Sequence, residues 1–182
     1  RARCVGYDND GDVDRYVAND LDCALGRNRP CGNAQIRDYC DPKECRGAPD
    51  ALYRNDGAGF ADMTWEAGVY DAEGKGLGVA LADYDDDGAI DLYVANDFGR
   101  NNLYLNSGDG AFVDKAVEWG VEDLSAGMGV SFADVDGDGR MDLHVSNMFS
   151  AAGNRVAYQE RFQADGAAAV RADFRRHARG NS

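Results

Sequence analysis

The sequence predicts an all-β fold built from β-propeller-type blades, each made of four short antiparallel strands. Two observations lead to this prediction. A block of sequence recurs with a period of about 51 residues, which is the separation of Gly88 from Gly139. Within the block, short apolar runs such as Val79–Ala82 and Leu92–Ala95 alternate with turns rich in Asp and Gly, as expected for hairpin strands.

An acidic segment marks each repeat. It occurs three times, as GYDNDGDVDRYVAND at 6–20, DYDDDGAIDLYVAND at 83–97 and DVDGDGRMDLHVSN at 134–147. A second shared block occupies 52–60 and 103–112, and a third occupies 76–82 and 127–133. The blocks keep the same order, so we expect the three acidic segments to occupy equivalent places in successive blades.

The spacing of the blocks sets the predicted boundaries. Gly11 and Gly88 are 77 residues apart, and the excess over one period falls between Asp20 and Leu52, where most of the cysteines lie. We predict a single repeat domain over 1–182. It divides into repeat one at 1–69 with a Cys-rich insertion at 21–50, repeat two at 70–121, and repeat three at 122–182 with a helical insertion at 154–179. Repeat three stops before its second shared block, so the propeller is predicted to be incomplete and the chain truncated.

The insertion in repeat three has a loose helical pattern. Val156, Phe162, Val170 and Phe174 are spaced as an apolar stripe, and Asp165 is a candidate N-cap beside Gly166. The fold class is therefore all-β with a partly helical C-terminal insertion.

Five cysteines lie at positions 4, 23, 31, 40 and 45. Their clustering favours disulfides and hence an oxidising compartment. Zinc binding and free thiols are the alternatives, although no CxxC pair or nearby His is present for zinc. The odd cysteine stays free, pairs with another chain, or pairs with a region outside this sequence.

The charge balance limits the classes of partner. The formal net charge is −14, from 33 acidic and 19 basic side chains, and such a surface repels the phosphates of nucleic acids. No apolar run is long enough to span a bilayer. The acids comprise 27 Asp and 6 Glu. Asp favours turns and hard-cation loops over helical faces, so this bias indicates metal binding.

The template Asp-x-Asp-x-Asp-Gly-x-x-Asp supplies alternating carboxylates and a tight Gly turn, which suits the six to eight oxygen ligands of calcium. For repeat two the predicted ligands are Asp83, Asp85, Asp87, the Ala89 carbonyl and Asp91. For repeat three they are Asp134, Asp136, Asp138, the Arg140 carbonyl and Asp142. Without a cation these carboxylates repel one another, so we predict two calcium sites, with magnesium less suited.

Repeat one predicts a weaker third site. Asp8, Asp10 and Asp14 match the template and Asp12 stands at the carbonyl position, but Gly6 replaces the first Asp. Arg15 replaces the Leu of the other copies and predicts a less buried edge position.

These segments resemble FG-GAP (VCBS-type) repeats, as in integrin α-subunit propellers, and are similar to repeats that accompany ASPIC/UnbV domains in secreted proteins. The motifs that carry the resemblance are 83–97, 102–112 and 127–147. The resemblance implies a propeller fold and calcium binding, whereas the functions of such propellers include adhesion, scaffolding and occasionally catalysis.

Catalytic signatures are missing from the sequence. The two histidines, His144 and His177, have no nucleophile motif nearby, and no H-E-x-x-H or phosphate loop occurs. We therefore expect a non-enzymatic, calcium-stabilised scaffold or adhesion module that binds a protein or glycan. It would be secreted, or placed in a bacterial periplasm or on a cell surface.

Two alternatives stay open. One is the propeller portion of a secreted calcium-dependent carbohydrate-active enzyme, which a groove lined by Tyr or Trp with an unliganded carboxylate pair would favour. The other is a subunit of an extracellular filament, which edge-to-edge packing of copies of the chain would favour. Homo-oligomerisation or assembly with further repeats is therefore expected to be possible.

Overall fold

The computed structural model describes residues 1–22, 31–32, 37–38, 45–159 and 168–179. Twelve strands and two helices are assigned within these ranges. In chain order they are β1 (Ala2–Val5), β2 (Asp14–Val17), β3 (Cys31–Gly32), β4 (Arg37–Asp38), β5 (Ala51–Asn55), β6 (Phe60–Asp62), β7 (Gly76–Ala82), β8 (Asp91–Asn96), β9 (Asn102–Asn106), β10 (Phe112–Asp114), β11 (Gly127–Ala133), β12 (Asp142–Asn147), α1 (Ala151–Ala157) and α2 (Ala168–Arg179).

Two four-stranded antiparallel sheets form the body of the protein. Blade one has the order β1-β2-β5-β6, and blade two has the order β7-β8-β9-β10. Blade three contains the pair β11-β12 among the described residues. The structure confirms the predicted all-β fold of four-stranded antiparallel blades in an incomplete propeller, while the exact repeat boundaries stay a prediction.

The acidic segments connect the first two strands of each blade. They join β1 to β2, β7 to β8 and β11 to β12, and in blade two Ala82 pairs with Asp91 directly across the turn. The predicted equivalence of the three segments is thus reproduced in the hairpins that carry them.

Blade two is buried between its neighbours. Leu92 and Val94 of β8 belong to the core shared with blade one, whereas Tyr93 and Ala95 belong to the core shared with blade three. Because successive strand residues point to opposite faces, a strand covered on both faces must be apolar throughout. The run Leu92–Ala95 has that composition, and every residue of β8 is buried.

Glycines allow blades two and three to approach closely. A Cβ placed on Gly78 of β7 would lie 2.9 Å from the Cα of Gly129 on β11. The Gly-x-Gly that begins both strands therefore serves packing between blades as well as strand geometry.

The two ends of the insertion in repeat one are paired with each other where they join the blade. Leu21 and Gly47 form an isolated bridge, and the Asp22 N–H donates to the Arg46 carbonyl at 3.0 Å. Within it, β3 pairs with β4. Cys4 is exposed with a free thiol. The side chains of Cys23, Cys31 and Cys40 lie outside the described part of the structure, so the disulfide network stays a prediction.

The C-terminal insertion contains two helices among the described residues. Helix α1 begins at Ala151, because Ser150 is its N-cap and accepts the Gly153 N–H at 2.9 Å. Among the side chains that the structure describes in the two helices, Ala157 and Ala178 are the buried apolar ones, while Val156 of the expected stripe is 42% exposed. Phe162 and the side chain of Val170 lie outside the described part of the structure. Asp165 and Gly166 lie outside the described residues. No helix in the described ranges is long and apolar enough to cross a membrane.

Candidate metal centres

The three acidic turns, named here loop one (6–14), loop two (83–91) and loop three (134–142), share one backbone conformation. The sixth residue of each has a positive φ, at 94° for Gly11, 91° for Gly88 and 89° for Gly139. This is the tight turn predicted from the Gly of the template.

The fourth residue of each loop also has a positive φ, which sequence reasoning missed. The angles are 58° for Asn9, 60° for Asp86 and 79° for Gly137. Asn, Asp and Gly are the residue types that tolerate this conformation best, so their occurrence at one register position was an available signal. Two residues with positive φ tighten the turn of each loop, and carboxylates of the loop accept N–H groups from its own backbone.

Loop two brings three predicted ligands together. Carboxylate oxygens of Asp83, Asp85 and Asp91 lie within 4.8 Å of one another. The Asp83 carboxylate accepts the N–H groups of Asp87 at 3.1 Å and Gly88 at 3.0 Å. These bonds hold the first carboxylate over the turn.

Asp91 is the carboxylate of loop two that is held most firmly by burial and hydrogen bonds. Its side chain is fully buried and accepts the Tyr84 N–H at 2.7 Å and the Asn106 N–H at 2.9 Å. Burial raises the pKa of Asp91, the two N–H donors lower it, and the charges of Asp85 and Asp87 raise it further. The pKa of Asp85 is raised mainly by burial and then by Asp87. A cation at this point would relieve the repulsion.

Asp87, the remaining carboxylate among the predicted ligands of loop two, is outside the group of three and accepts the Ala89 N–H at 2.7 Å. The Ala89 residue is itself buried. The predicted set is thus gathered in part, with Asp83, Asp85 and Asp91 together and Asp87 outside the group.

Loop three gathers a different triple. Oxygens of Asp134, Asp136 and Asp138 lie within 4.8 Å of one another, and all three residues are exposed. Asp134 accepts Gly137 N–H at 2.7 Å and Gly139 N–H at 3.0 Å. Asp142, also exposed, accepts the Val135 N–H at 2.9 Å and is outside the group. Arg140, whose carbonyl was predicted as a ligand, donates its N–H to Asp138 at 2.9 Å.

Loop one does not form a comparable group among the described residues. Asp10 accepts the Asp12 N–H at 2.8 Å, and the contact of Asp8 with the Asp10 N–H is long at 3.4 Å. Asp14 is buried like Asp91 and accepts N–H groups from Tyr7 at 3.2 Å and Asn55 at 2.8 Å. Gly6 replaces the first Asp, so loop one lacks the carboxylate that accepts the N–H groups of the turn in loops two and three.

Sequence reasoning also missed the donors that hold Asp14 and Asp91. They are backbone N–H groups of Asn55 and Asn106, which end β5 and β9. Both Asn residues end a Leu-Tyr-x-Asn segment in the second shared block of the repeat, at 52–55 and 103–106. The sequence therefore showed that they are equivalent, but their contact with the acidic loops depends on how the strands pair.

The donor set of loops two and three fits a hard cation. In the described part of the chain, the ion pairs made by Arg and Lys involve acids outside the three loops. Clustered carboxylates without a basic partner and without soft Cys or His ligands suit calcium among common metals. Asp83, Asp85 and Asp91 would hold the ion in loop two, and Asp134, Asp136 and Asp138 in loop three.

A second candidate site is a cleft of about 640 Å³ near the first insertion. Its lining includes Tyr70 and Tyr104 together with the carboxylates of Asp71, Glu73 and Asp114. Asp114 is paired with Arg100 at 2.7 Å. Tyr70 stacks on Trp65, with ring centroids 3.8 Å apart, and Trp65 is 69% exposed.

Tandem antiparallel blades with Asp-rich hairpin loops place the chain in the class of β-repeat proteins. Within that class, residues 83–145 match the model of the FG-GAP-like repeat. This matched segment, which contains loop two and most of the β11–β12 hairpin, is similar to FG-GAP-like repeats.

Curated relatives agree with this family. Cartilage acidic protein 1 from Homo sapiens is 40% identical over 87 residues, which make up 47% of this chain and 13% of that protein. The proteins of the same name from Xenopus tropicalis and Mus musculus are 40% identical over 73 residues and 39% identical over 89 residues. The matched segments cover 11% and 13% of those two proteins, so the chain spans a small part of its relatives' length.

Proposed function

We propose that the chain is a calcium-stabilised, non-enzymatic extracellular module that presents its loops and cleft to a protein or glycan partner. The observation that carries the proposal is the gathering of three carboxylates within 4.8 Å in both loop two and loop three. Neutralising them would allow the hairpins to close without repulsion, so calcium would stabilise the folded state by binding it in preference to the unfolded chain.

An extracellular setting suits these loops. Loop three is exposed, and loops of this kind in extracellular modules bind calcium with dissociation constants of about 0.1–1 mM. Such sites are filled only where calcium is abundant. The relatives named cartilage acidic protein 1 and the clustered cysteines support the same setting.

The test is thermal unfolding in calcium and in excess chelator. At about tenfold excess over the dissociation constant, each site adds about 1.4 kcal/mol, so two sites should raise the midpoint by about 5–10 °C. Magnesium should do less, because it requires strict octahedral geometry. Equal midpoints in calcium and chelator would contradict the proposal.

Variants assign the effect to the loops. Asp85→Asn and Asp136→Asn should each remove about half of the calcium-dependent rise, and Asp8→Asn should remove less. Glu66→Gln is the matched control, because Glu66 is an exposed acid outside the loops. A similar loss in Glu66→Gln would show a general charge effect rather than site binding.

The cleft supports a second candidate, the propeller portion of a carbohydrate-active enzyme. Aromatic rings stack on sugars and carboxylates bind hydroxyls, and Asp71 with Glu73 provides two carboxyl groups beside Tyr70 and Tyr104. Release of reducing ends from a polysaccharide panel, abolished by Glu73→Gln, would favour this candidate. Binding without hydrolysis would favour the non-enzymatic module.

A further inference from the structure

The cleft near the first insertion lies where blade one connects to blade two. Its walls come from the end of that insertion, from the connections β6–β7 and β8–β9, and from strands β9 and β10. Its volume of about 640 Å³ falls within the range of about 300–1,000 Å³ that is usual for small-molecule sites. The chemistry of the lining therefore decides which class of molecule fits.

Tyr104 offers the cleft a hydroxyl group that the fold does not use. Its side chain is 4% exposed and lines the cleft. The hydroxyls of the similarly buried Tyr16 and Tyr93 donate to the Asp50 carboxylate at 2.7 Å and to the Val121 carbonyl at 2.8 Å. The Tyr104 hydroxyl makes no hydrogen bond with any residue of the described ranges. It is therefore available to a molecule in the cleft.

This hydroxyl stays protonated. Burial raises the pKa of Tyr104, and the negative charges of Asp71, Asp114 and Asp50 raise it further. A molecule beside the ring consequently meets a hydrogen-bond donor and not a phenolate.

The charged groups around the cleft balance one another. Three basic and three acidic side chains line it, namely Arg46, Lys75, Arg100, Asp71, Glu73 and Asp114. Although the whole chain carries −14, this lining has no net charge. A charged ligand would meet like charges as well as opposite ones, so the balance favours a neutral polar ligand.

The polar groups also favour a ligand that both accepts and donates. Asp71 accepts the Glu73 N–H on Oδ1 at 3.0 Å, and no donor from the described residues reaches its Oδ2. One ligand hydroxyl can accept from Tyr104 and donate to a carboxylate such as Asp71 at the same time. An ammonium group has no acceptor for the Tyr104 proton.

Aromatic rings complete the lining. Tyr70 is held by its stack on Trp65, with ring centroids 3.8 Å apart. Phe98 has a φ of 55°, which is unfavourable for a bulky side chain, and its ring lines the cleft while it contacts His177 of α2 at 4.7 Å between centroids. Apolar ring faces beside hydroxyl-binding groups match the two kinds of surface on a sugar ring.

We propose that the cleft binds a neutral saccharide, with the Tyr104 hydroxyl donating to a sugar hydroxyl and the Asp71 carboxylate accepting from one. The inference rests on the proposed presentation of the cleft to a partner, and it selects a glycan over a protein and an uncharged glycan over a charged one.

Calorimetric titration of the full chain in calcium tests the choice of ligand. The neutral probes are triacetylchitotriose, maltotriose, cellotriose and galactotriose. The charged probes are the deacetylated chitotriose, which is cationic, and trigalacturonate, which is anionic. We expect saturable binding of at least one neutral trisaccharide, and binding weaker by about tenfold or more for the charged ones. No binding of any neutral probe, or preferred binding of a charged one, would overturn the proposal.

Tyr104→Phe tests the location. It should weaken binding of the best neutral probe by about five- to tenfold, the effect of one lost hydrogen bond. Tyr53→Phe is the matched control, since Tyr53 holds the equivalent position in blade one and does not line the cleft. Equal weakening by the two variants, or none in Tyr104→Phe, would overturn the assignment.

Stability measurements separate this inference from the proposed function. Without sugar, Tyr104→Phe should unfold at the midpoint of the unmodified chain, because its hydroxyl has no partner within the described part of the fold. A lower midpoint would show that the hydroxyl serves folding and would contradict the proposal. A chain that calcium stabilises but that binds no neutral trisaccharide would overturn the sugar site alone.

Discussion

At the scale of single residues, the last Asp of loops one and two is a structural anchor whether or not an ion is bound. Asp14 and Asp91 are buried and bonded to two backbone N–H groups each, while Asp142 has one such bond and is exposed. Among the described residues, this template position is thus held by two backbone donors in blades one and two and by one in blade three.

Asp91→Ala should consequently destabilise the protein even without calcium. The substitution leaves the buried Asn106 N–H and the partly buried Tyr84 N–H without acceptors, and the buried one alone costs about 1–3 kcal/mol, which outweighs the relief from removing a buried charge. Asp142→Ala should cost about 0.5 kcal/mol or less, as is usual for exposed positions. Urea unfolding in chelator measures both, and equal losses would refute the anchor role.

Asp50 is a second residue whose environment sets a measurable property. It is 4% exposed and accepts the Tyr16 hydroxyl at 2.7 Å and the Asn19 N–H at 2.8 Å. Burial raises the pKa of its carboxyl to about 6, against the opposing effect of these two donors. The folded state therefore binds the Asp50 proton more tightly than the unfolded chain does.

The sign of the pH effect follows from that difference. The stabilisation from the Asp50 proton is complete below the unfolded pKa of 3.8 and is lost as pH rises through about 6. The loss is about 3 kcal/mol over this window. Asp50→Asn should flatten the slope of unfolding free energy against pH between about 4 and 6, measured in chelator, while Glu66→Gln should leave it unchanged. An identical slope in Asp50→Asn would contradict the assignment.

At the scale of elements, packing between blades depends on backbone approach. β7 and β11 meet at Gly78 and Gly129, where a Cβ on Gly78 would lie 2.9 Å from the Cα of Gly129 and 3.2 Å from the Ala95 Cβ. The first of these atoms belongs to the backbone and the second to a side chain without rotatable bonds, so neither can move aside for an added Cβ by a change of rotamer.

Gly78→Ala should therefore destabilise the protein by about 1–3 kcal/mol, the usual cost of overpacking. Gly59→Ala is the control, because a Cβ there meets nothing within 4 Å. Chemical denaturation compares the two. A Gly78→Ala variant as stable as Gly59→Ala would show that the blades can separate without cost.

At the scale of the whole molecule, the net charge of −14 opposes compaction when no cation is bound. Of the 33 acids, 13 lie in the three loops, so much of the repulsion is concentrated there. Simple salt should relieve part of it by screening.

The unfolding midpoint in chelator should rise when NaCl increases from about 10 mM to about 150 mM, since the Debye length falls from about 30 Å to about 8 Å. In calcium the same change in salt should raise the midpoint less. Differential scanning calorimetry checks both series. The same salt response with and without calcium would indicate that loop repulsion is not the main charge effect.

The repeat made much of the fold and site predictable. The 51-residue period, the apolar runs and the loop template led to antiparallel blades, and the Gly at 88 and 139 has the expected turn conformation. The Ser150 cap that begins α1 was not among the predictions, and the position of Asp142 outside its loop group was not expected.

The sequence by itself determined the local features, namely loop chemistry, turn glycines, strand hairpins and their order, because these depend on residues close together in the chain. Tertiary structure alone decided which carboxylates meet, since Asp91 is held by Asn106, 15 residues away, and that contact requires β9 to pair with β8. It also decided that the same template residue is buried at Asp91 and exposed at Asp142. Burial depends on whether a third strand covers the loop, and a short sequence motif carries no record of that neighbour.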